Sequence, residues 1–256
     1  MTDLRLGDCL EVMKSIPDGS IDAIITDPPY GTTACKWDSV IDFELMWEQL
    51  NRIIKPNGAI VLFGSEPFSS ALRMSNIKNY KYDWIWEKEQ GTNFALSRKQ
   101  PLRKHELISV FYFKQPYYNS VGEKLEKPQK VKRGDNTKSI TSQNNSKYLK
   151  ESIYTHRTKH SILKFKRDRT NKHPTQKPIA LMEYLIKTYT KENEMVLDFT
   201  MGSGSTGVAA KNLDRKFIGI EKDEAYFKIA TDRISKEEKQ LKILWHYTLA
   251  NVERLK

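Results

Sequence analysis

The chain has 256 residues, with 43 Lys and Arg against 32 Asp and Glu and a formal net charge of +11. Its 38% hydrophobic content supplies a core and argues against a wholly disordered chain, and this length suits one large domain or one domain carrying an insertion. Two cysteines, Cys9 and Cys35, are too few for a disulfide framework or a cysteine-built zinc site, and no apolar run reaches the roughly 18 residues of a membrane helix.

Met1-Thr2-Asp3-Leu4-Arg5 lacks the basic-then-apolar pattern of a secretory signal. A cytoplasmic protein with reduced thiols and no membrane partner is therefore expected. Ile21–Thr26 predicts a short buried strand running directly into Asp27-Pro28-Pro29-Tyr30. Phe43, Met46, Trp47, Leu50 and Ile54 share one helical face. Lys55-Pro56-Asn57-Gly58 reads as a turn, Ala59–Phe63 as a second strand, and Pro67 opens a helix reaching Ile77. Tyr82–Trp86 and Leu107–Phe113 are β-rich.

The charge is unevenly placed. Gln115–Lys172 holds fifteen basic and five acidic residues, a net +10, which leaves +1 for the rest of the chain. The segment is rich in Asn, Ser, Thr and Tyr and poor in apolar clusters. On charge alone it reads either as a solvated insertion or as a phosphate-contacting module with aromatic help from Tyr117, Tyr118, Tyr148 and Tyr154.

After it comes His173-Pro174-Thr175-Gln176-Lys177-Pro178, then a predicted amphipathic helix from Ile179 to Thr190. Met195–Phe199 is a strand, Gly202–Gly207 a glycine turn leading into a helix through Asn212, Phe217–Glu221 a strand, and Glu224 starts a helix to about Lys239. This alternation implies an open, mostly parallel α/β sheet.

Strand, glycine turn, helix, strand and acid form a nucleoside-binding layout. Gly202, Gly204 and Gly207 let the backbone approach a ligand, the helix start offers unpaired N–H groups, and Glu221 ends the next strand where a carboxylate can accept ribose hydroxyls. The spacing leaves NAD and S-adenosylmethionine (SAM) both open. Asp27-Pro28-Pro29-Tyr30 lies on the same sheet edge. Its prolines stiffen the loop, Asp27 and the Pro28 carbonyl supply two acceptors, and Tyr30 supplies an aromatic plane. Such a loop suits a planar group bearing an exocyclic NH2.

These residues, with the His173–Pro178 motif, Asp198-Phe199-Thr200-Met201-Gly202-Ser203-Gly204-Ser205-Thr206 and Ile218–Glu221, resemble the amino-methylating DNA methyltransferases, which modify adenine N6 or cytosine N4. The order of the motifs looks like the family's β-group. Phe199 departs from the Pro that many members carry after the motif's Asp. The resemblance covers most of the chain outside the basic segment and the C-terminal tail. It implies a Rossmann-like SAM-dependent methyltransferase sheet with an inserted basic target-recognition region.

Its implied organisation is a catalytic half over 1–114, target recognition over 115–172, a SAM-binding half over 173–239 and a tail over 240–256. The resemblance also implies that Asp27, Pro28, Pro29 and Tyr30 are catalytic, and that Asp198, Phe199, Gly202, Gly204, Ser205, Thr206 and Glu221 line the SAM site. Asp8 is implied to meet the SAM adenine, and Thr175 and Lys177 the methionine carboxylate. Gln143, Asn144, Asn145, Arg133 and Arg157 become candidate base readers, and Arg98, Lys99, Arg103 and Lys104 a second basic loop. Double-stranded DNA is the implied partner and a homodimer the implied assembly.

The expected reaction is methylation of a flipped-out adenine at N6, favoured over cytosine N4 because Asp stands first in the catalytic motif. No metal or covalent intermediate is required. A catalytically idle DNA-binding subunit is the alternative of a different class.

Overall fold

The computed structural model describes residues 1–31, 39–132, 151–167 and 176–236. In chain order these form β1 (Thr2–Leu6), α1 (Cys9–Met13), β2 (Ile21–Thr26), α2 (Phe43–Ile53), β3 (Ile54–Gly64), α3 (Phe68–Ser75), β4 (Tyr80–Thr92) and β5 (Arg103–Phe111). There follow β6 (Val121–Lys132), β7 (Glu151–Thr158), β8 (Ile162–Lys164), α4 (Ile179–Tyr189), β9 (Met195–Asp198), α5 (Ser205–Asn212), β10 (Lys216–Glu221) and a last helix, α6, over 224–236.

Eight strands make one sheet in the order β1-β10-β9-β2-β3-β5-β4-β8. The run from β1 to β3 is parallel, β5 is antiparallel to both its neighbours, and β8 lies parallel to β4. The sheet is apolar on both faces because each strand sends alternate side chains to opposite sides. Ile25, Val61 and Val196 pack with Leu181 and Leu185 of α4, Val208 of α5 and Ala230 and Ile234 of α6. Ile24, Ile60 and Leu197 pack with Met13, Met46, Leu50 and Leu72 from α1, α2 and α3. Helices thus cover both faces of the sheet. Asp42 caps α2 by accepting the Leu45 N–H at 3.0 Å, which fixes where that helix begins.

Two predicted features differ. Lys55–Gly58 is no free turn but part of β3. The pairing jumps from Ile21↔Ile54 to Ala23↔Ala59, so these residues form a bulge against β2. Secondly, β8 falls inside the basic segment 115–172 yet pairs with β4 in the main sheet, with Trp86 opposite Leu163. Leu163 is buried in the core, and that burial outweighs the polar character of its surroundings.

The chain divides into two units, with breaks after Tyr118 and after His160. The smaller, Asn119–His160, is narrower than the basic segment. It holds ten basic and four acidic residues, a net +6, while 161–172 adds the other +4. Its described part is the antiparallel ribbon β6–β7, with Lys130 opposite Ile153 and Gln129 opposite Tyr154. Arg133, Gln143, Asn144, Asn145 and the tail from Gln240 lie outside the described residues.

Candidate active site

Parallel pairing aligns strand ends, and that alignment builds the site. Leu197 is level with Ile24 on one side and Ile218 on the other, and Leu6 is level with Glu221. Asp198, Glu221, Asp8 and Asp27 therefore emerge along one sheet edge. They surround a cavity of about 770 Å3. It lies where the strand order reverses between β9 and β2, the position where open α/β sheets bind ligands.

One half of the cavity is organised by backbone N–H groups. Glu221 Oε2 accepts the Gly202 N–H at 2.8 Å, and its Oε1 accepts those of Lys222 and Asp223 at 2.9 and 2.8 Å. The carboxylate thus holds the glycine turn against the end of β10. Gly202 and Gly204 take positive φ values of 51° and 80°, which favour glycine, and a Cβ on Gly204 would come within 2.9 Å of Ala230. Asp8 caps α1 through the Leu10 N–H at 3.0 Å and receives Lys222 Nζ at 3.0 Å on its other oxygen. That Lys222 bond, set against partial burial, holds the Asp8 carboxyl below its ordinary value.

Asp198 accepts from Thr26 Oγ1 and Thr206 Oγ1 and from the Thr200 N–H. It is buried, and burial pushes its pKa up to about 6 against those hydrogen bonds. Asp198 and Thr206 thereby join β2, β9 and α5. Ser203 is clamped by buried Arg233, which donates to its carbonyl and hydroxyl at 2.5 and 2.9 Å. The Ser205 hydroxyl is buried at the cavity wall without a hydrogen-bond partner. Phe199 is buried in the core cluster and also borders the cavity, whereas Gly204 lies behind the wall.

The other half is organised by buried side-chain charges. Tyr30 donates its hydroxyl to Asp27 Oδ1, and Lys177 Nζ meets Asp27 Oδ2. Lys177 also lies 3.4 Å from Glu106, whose other oxygen meets Lys88 at 2.6 Å. Two carboxylates and two ammonium groups alternate in this row. Lys177 and Lys88 are only 7% and 5% exposed, so each charge depends on its neighbours for compensation.

Burial, with Glu106 adding to it, raises the Asp27 pKa against the opposing pull of Lys177. Burial works against the Lys177 ammonium, but Asp27 and Glu106 more than offset it and hold it charged. Glu106 is held ionised by Lys177 and Lys88 despite its burial. Thr200 Oγ1 donates to the Asp27 carbonyl at 3.1 Å and pins the loop to the neighbouring strand end. The Tyr30 ring packs against Phe68 at 5.1 Å.

The structure therefore brings Asp8, Asp27, Pro28, Pro29, Tyr30, Lys177, Asp198, Phe199, Gly202, Ser205, Thr206 and Glu221 to one cavity. Thr175 lies outside the described residues. The expected partner of Lys177 was a ligand carboxylate, whereas the structure pairs it with two carboxylates of the chain. Within the second basic loop, Arg103 turns inward and donates to Ser65 Oγ and the Glu66 carbonyl, and Lys104 pairs with Glu87 at 3.1 Å.

Sequence reading missed Glu106, Lys88, Thr26, Thr200 and Arg233. Thr26 adjoins the Asp27–Tyr30 motif and Thr200 lies within the Asp198–Thr206 motif, so both were within reach. Glu106 and Lys88 stand far from every motif, and only the antiparallel pairing of β4 with β5 brings them together.

A family model described as DNA methylase matches residues 21–232. Among relatives, the chain is 30% identical to the Type II methyltransferase M2.LlaDCHI of Lactococcus lactis subsp. cremoris, over 90% of this chain and 87% of that protein. It is 28% identical to the Type II methyltransferase M2.DpnII of Streptococcus pneumoniae, covering 90% and 88%. The solved M1.HpyAVI–SAM complex is 30% identical with a TM-score of 0.60, covering 91% of this chain and all of that one. The cytosine-N4-specific PvuII DNA methyltransferase shares the fold, with a TM-score of 0.66 at 18% identity over 91% of this chain and 86% of that one.

Proposed function

The chain belongs to the DNA methylase family, whose methyl donor is SAM, and we propose that it methylates the N6 amine of an adenine flipped out of double-stranded DNA. The observation that carries this reading is the half-buried Asp27 carboxylate, set in an Asp-Pro-Pro-Tyr loop on the wall of a cavity whose opposite half suits a nucleoside. Asp at the first motif position favours adenine over cytosine by the resemblance already described.

The residues of the backbone-organised half fit SAM. Asp8 and Glu221 offer carboxylate acceptors to its nucleoside end, and the tight glycine turn leaves room for it. When bound, SAM supplies a methyl group on a positively charged sulfur. Thr175 is the residue proposed for the methionine carboxylate.

The chain's own contribution to the chemistry centres on Asp27. An exocyclic amine is a poor nucleophile because its lone pair is delocalised into the ring. Asp27 and the Pro28 carbonyl accept the amine hydrogens, favour a pyramidal nitrogen and stabilise the positive charge that grows there. Tyr30 offers its ring to the base. Asp27, or a water beside it, takes the proton.

Each Asp27 oxygen already has one partner, Tyr30 on Oδ1 and Lys177 on Oδ2, and withdrawal of a partner would strengthen that oxygen as an acceptor for the amine. Lys177 is equipped to withdraw, because Glu106 already lies 3.4 Å away and keeps its buried ammonium compensated. Glu106 is thus a positioning residue: it frees Asp27 by holding Lys177.

The ribbon β6–β7 is proposed to grip DNA. Lys124, Lys127 and Lys130 are exposed along it, and a two-stranded ribbon has the width of a major groove.

The test is transfer from radiolabelled SAM to plasmid DNA, followed by nucleoside digestion. N6-methyladenine is expected. N4-methylcytosine alone contradicts the adenine assignment, and SAM binding without any transfer points to an idle DNA-binding subunit.

A further inference from the structure

The loop Asn93–Leu102 joins β4 to β5, and the residues at its two feet, Thr92 and Arg103, line the cavity. It is an ordered turn. Leu96 N–H donates to Asn93 O at 2.9 Å, Lys99 N–H donates to Leu96 O at 2.8 Å, and Thr92 Oγ1 donates across the feet to Arg103 O at 3.1 Å. Asn93 takes a left-handed φ of 68°, and Gly91 is needed because a Cβ there would reach 2.7 Å from Leu102. The turn nevertheless holds its apolar side chains toward solvent. Phe94 is 66% exposed, Leu96 42% and Leu102 37%. Leu102 packs on Gly91, but Phe94 and Leu96 leave much of their apolar surface in solvent on a turn ordered by hydrogen bonds. Beside them stand exposed Arg98 and Lys99, and the ten residues contain no acid.

We infer that this loop is the wedge that enters duplex DNA, with Phe94 filling the gap that the extruded base leaves and Arg98 and Lys99 meeting the flanking phosphates. The inference rests on the DNA methylation proposed above and adds the element that opens the duplex. Each feature has a matching requirement. A flipped base leaves two stacked faces without a partner, and an aromatic ring supplies one. The wedge must stand next to the cavity that receives the base, and the loop's feet are in that cavity's wall. The wedge must also approach a polyanion, and its only charges are positive. A protein partner would find the same apolar tip, but nothing about it would make Phe94 matter only when the target base is paired.

The experiment compares wild type with Phe94→Ala and Phe94→Tyr on two synthetic duplexes that carry the sequence mapped from methylated host DNA. In one the target base is paired. In the other it faces an abasic position and is already unpaired. Single-turnover methyl transfer is measured with SAM affinity as the folding control. Phe94→Ala is expected to slow transfer about tenfold or more on the paired duplex, because unstacking and unpairing the base is then uncompensated. On the abasic duplex it is expected to match wild type, and Phe94→Tyr should retain activity on both. Equal rates for Phe94→Ala and wild type on the paired duplex, or an equal loss on both duplexes, overturns the wedge. Absence of transfer by wild type on either duplex overturns the methylation reading itself.

Discussion

The two halves of the cavity satisfy their carboxylates in different ways. Glu221 is held by three backbone N–H groups within a short stretch of chain and the strand beside it. Asp27 is held by Tyr30 and by Lys177, 150 residues away, which is itself shared with Glu106. The first arrangement is fixed, since backbone donors cannot leave without unmaking the turn. The second is exchangeable, since a side-chain cation with two carboxylates can move between them. The former suits the proposed cofactor pocket, and the latter suits the role proposed for Asp27 toward a substrate amine.

The sharpest way to break this contrast is Asp27→Ala. Transfer should fall by about 10²–10⁴-fold, the range of a lost acid–base and charge-stabilising group. Filter-binding of labelled methyl groups to DNA measures it.

The next effect is on stability. The folded protein keeps a proton on Asp198 up to a pH of about 6, while the unfolded chain releases it near 3.8. Acidification from pH 7 to 4 therefore stabilises the fold at this site, and ionisation at neutral pH costs about 3 kcal/mol. Denaturant melts of wild type and Asp198→Asn should show the difference moving in favour of wild type as pH falls through that window. A pH-independent difference would place the Asp198 proton elsewhere.

Glu106→Gln sharpens the exchangeable half. With its second partner weakened, Lys177 should stay on Asp27, and kcat should drop by about tenfold, consistent with one lost charge-assisted bond. Because Glu106 pushes the Asp27 pKa upward, its neutralisation should also move the acid limb of the kcat–pH profile to lower pH. A purely structural role would leave that limb in place.

In the fixed half, Glu221→Gln should weaken SAM binding about tenfold by calorimetry while leaving kcat at saturation near wild type. Last, Lys127→Ala and Lys130→Ala should each lower the salt slope of DNA binding by about one. An unchanged slope would mean that the β6–β7 ribbon carries no phosphate contact.

The contrast also explains what could be read from sequence. Gly202, Gly204 and Glu221 do their work through backbone geometry over about 20 residues, a span that a strand–turn–helix–strand pattern reveals. Asp27-Pro28-Pro29-Tyr30 is legible because its stiffness and acceptors are written in four consecutive residues. The implied place of Asp8 beside the cofactor was legible through the resemblance, and β1 pairs with β10 so that Asp8 adjoins Glu221. Lys88 and Glu106 carry no local signature. They are a lysine and a glutamate in two edge-side strands until pairing buries them together. Likewise β8 is three residues, Ile162–Lys164, too short to stand out as a strand amid polar neighbours, and its place in the sheet comes from pairing with β4. Charge arithmetic marked the basic segment but could not divide it. Only the fold separates the +6 ribbon unit from Arg167, which lines the cavity.

The most direct test of the division between a fixed cofactor half and an exchangeable amine half is the Asp27→Asn variant, which keeps the side chain's shape and removes its charge. SAM affinity by calorimetry and methyl transfer to DNA are measured on the same preparation. SAM binding within a few-fold of wild type with transfer lost by about 10²-fold or more is the predicted result. Loss of SAM binding in parallel with transfer, or retention of both, would contradict it.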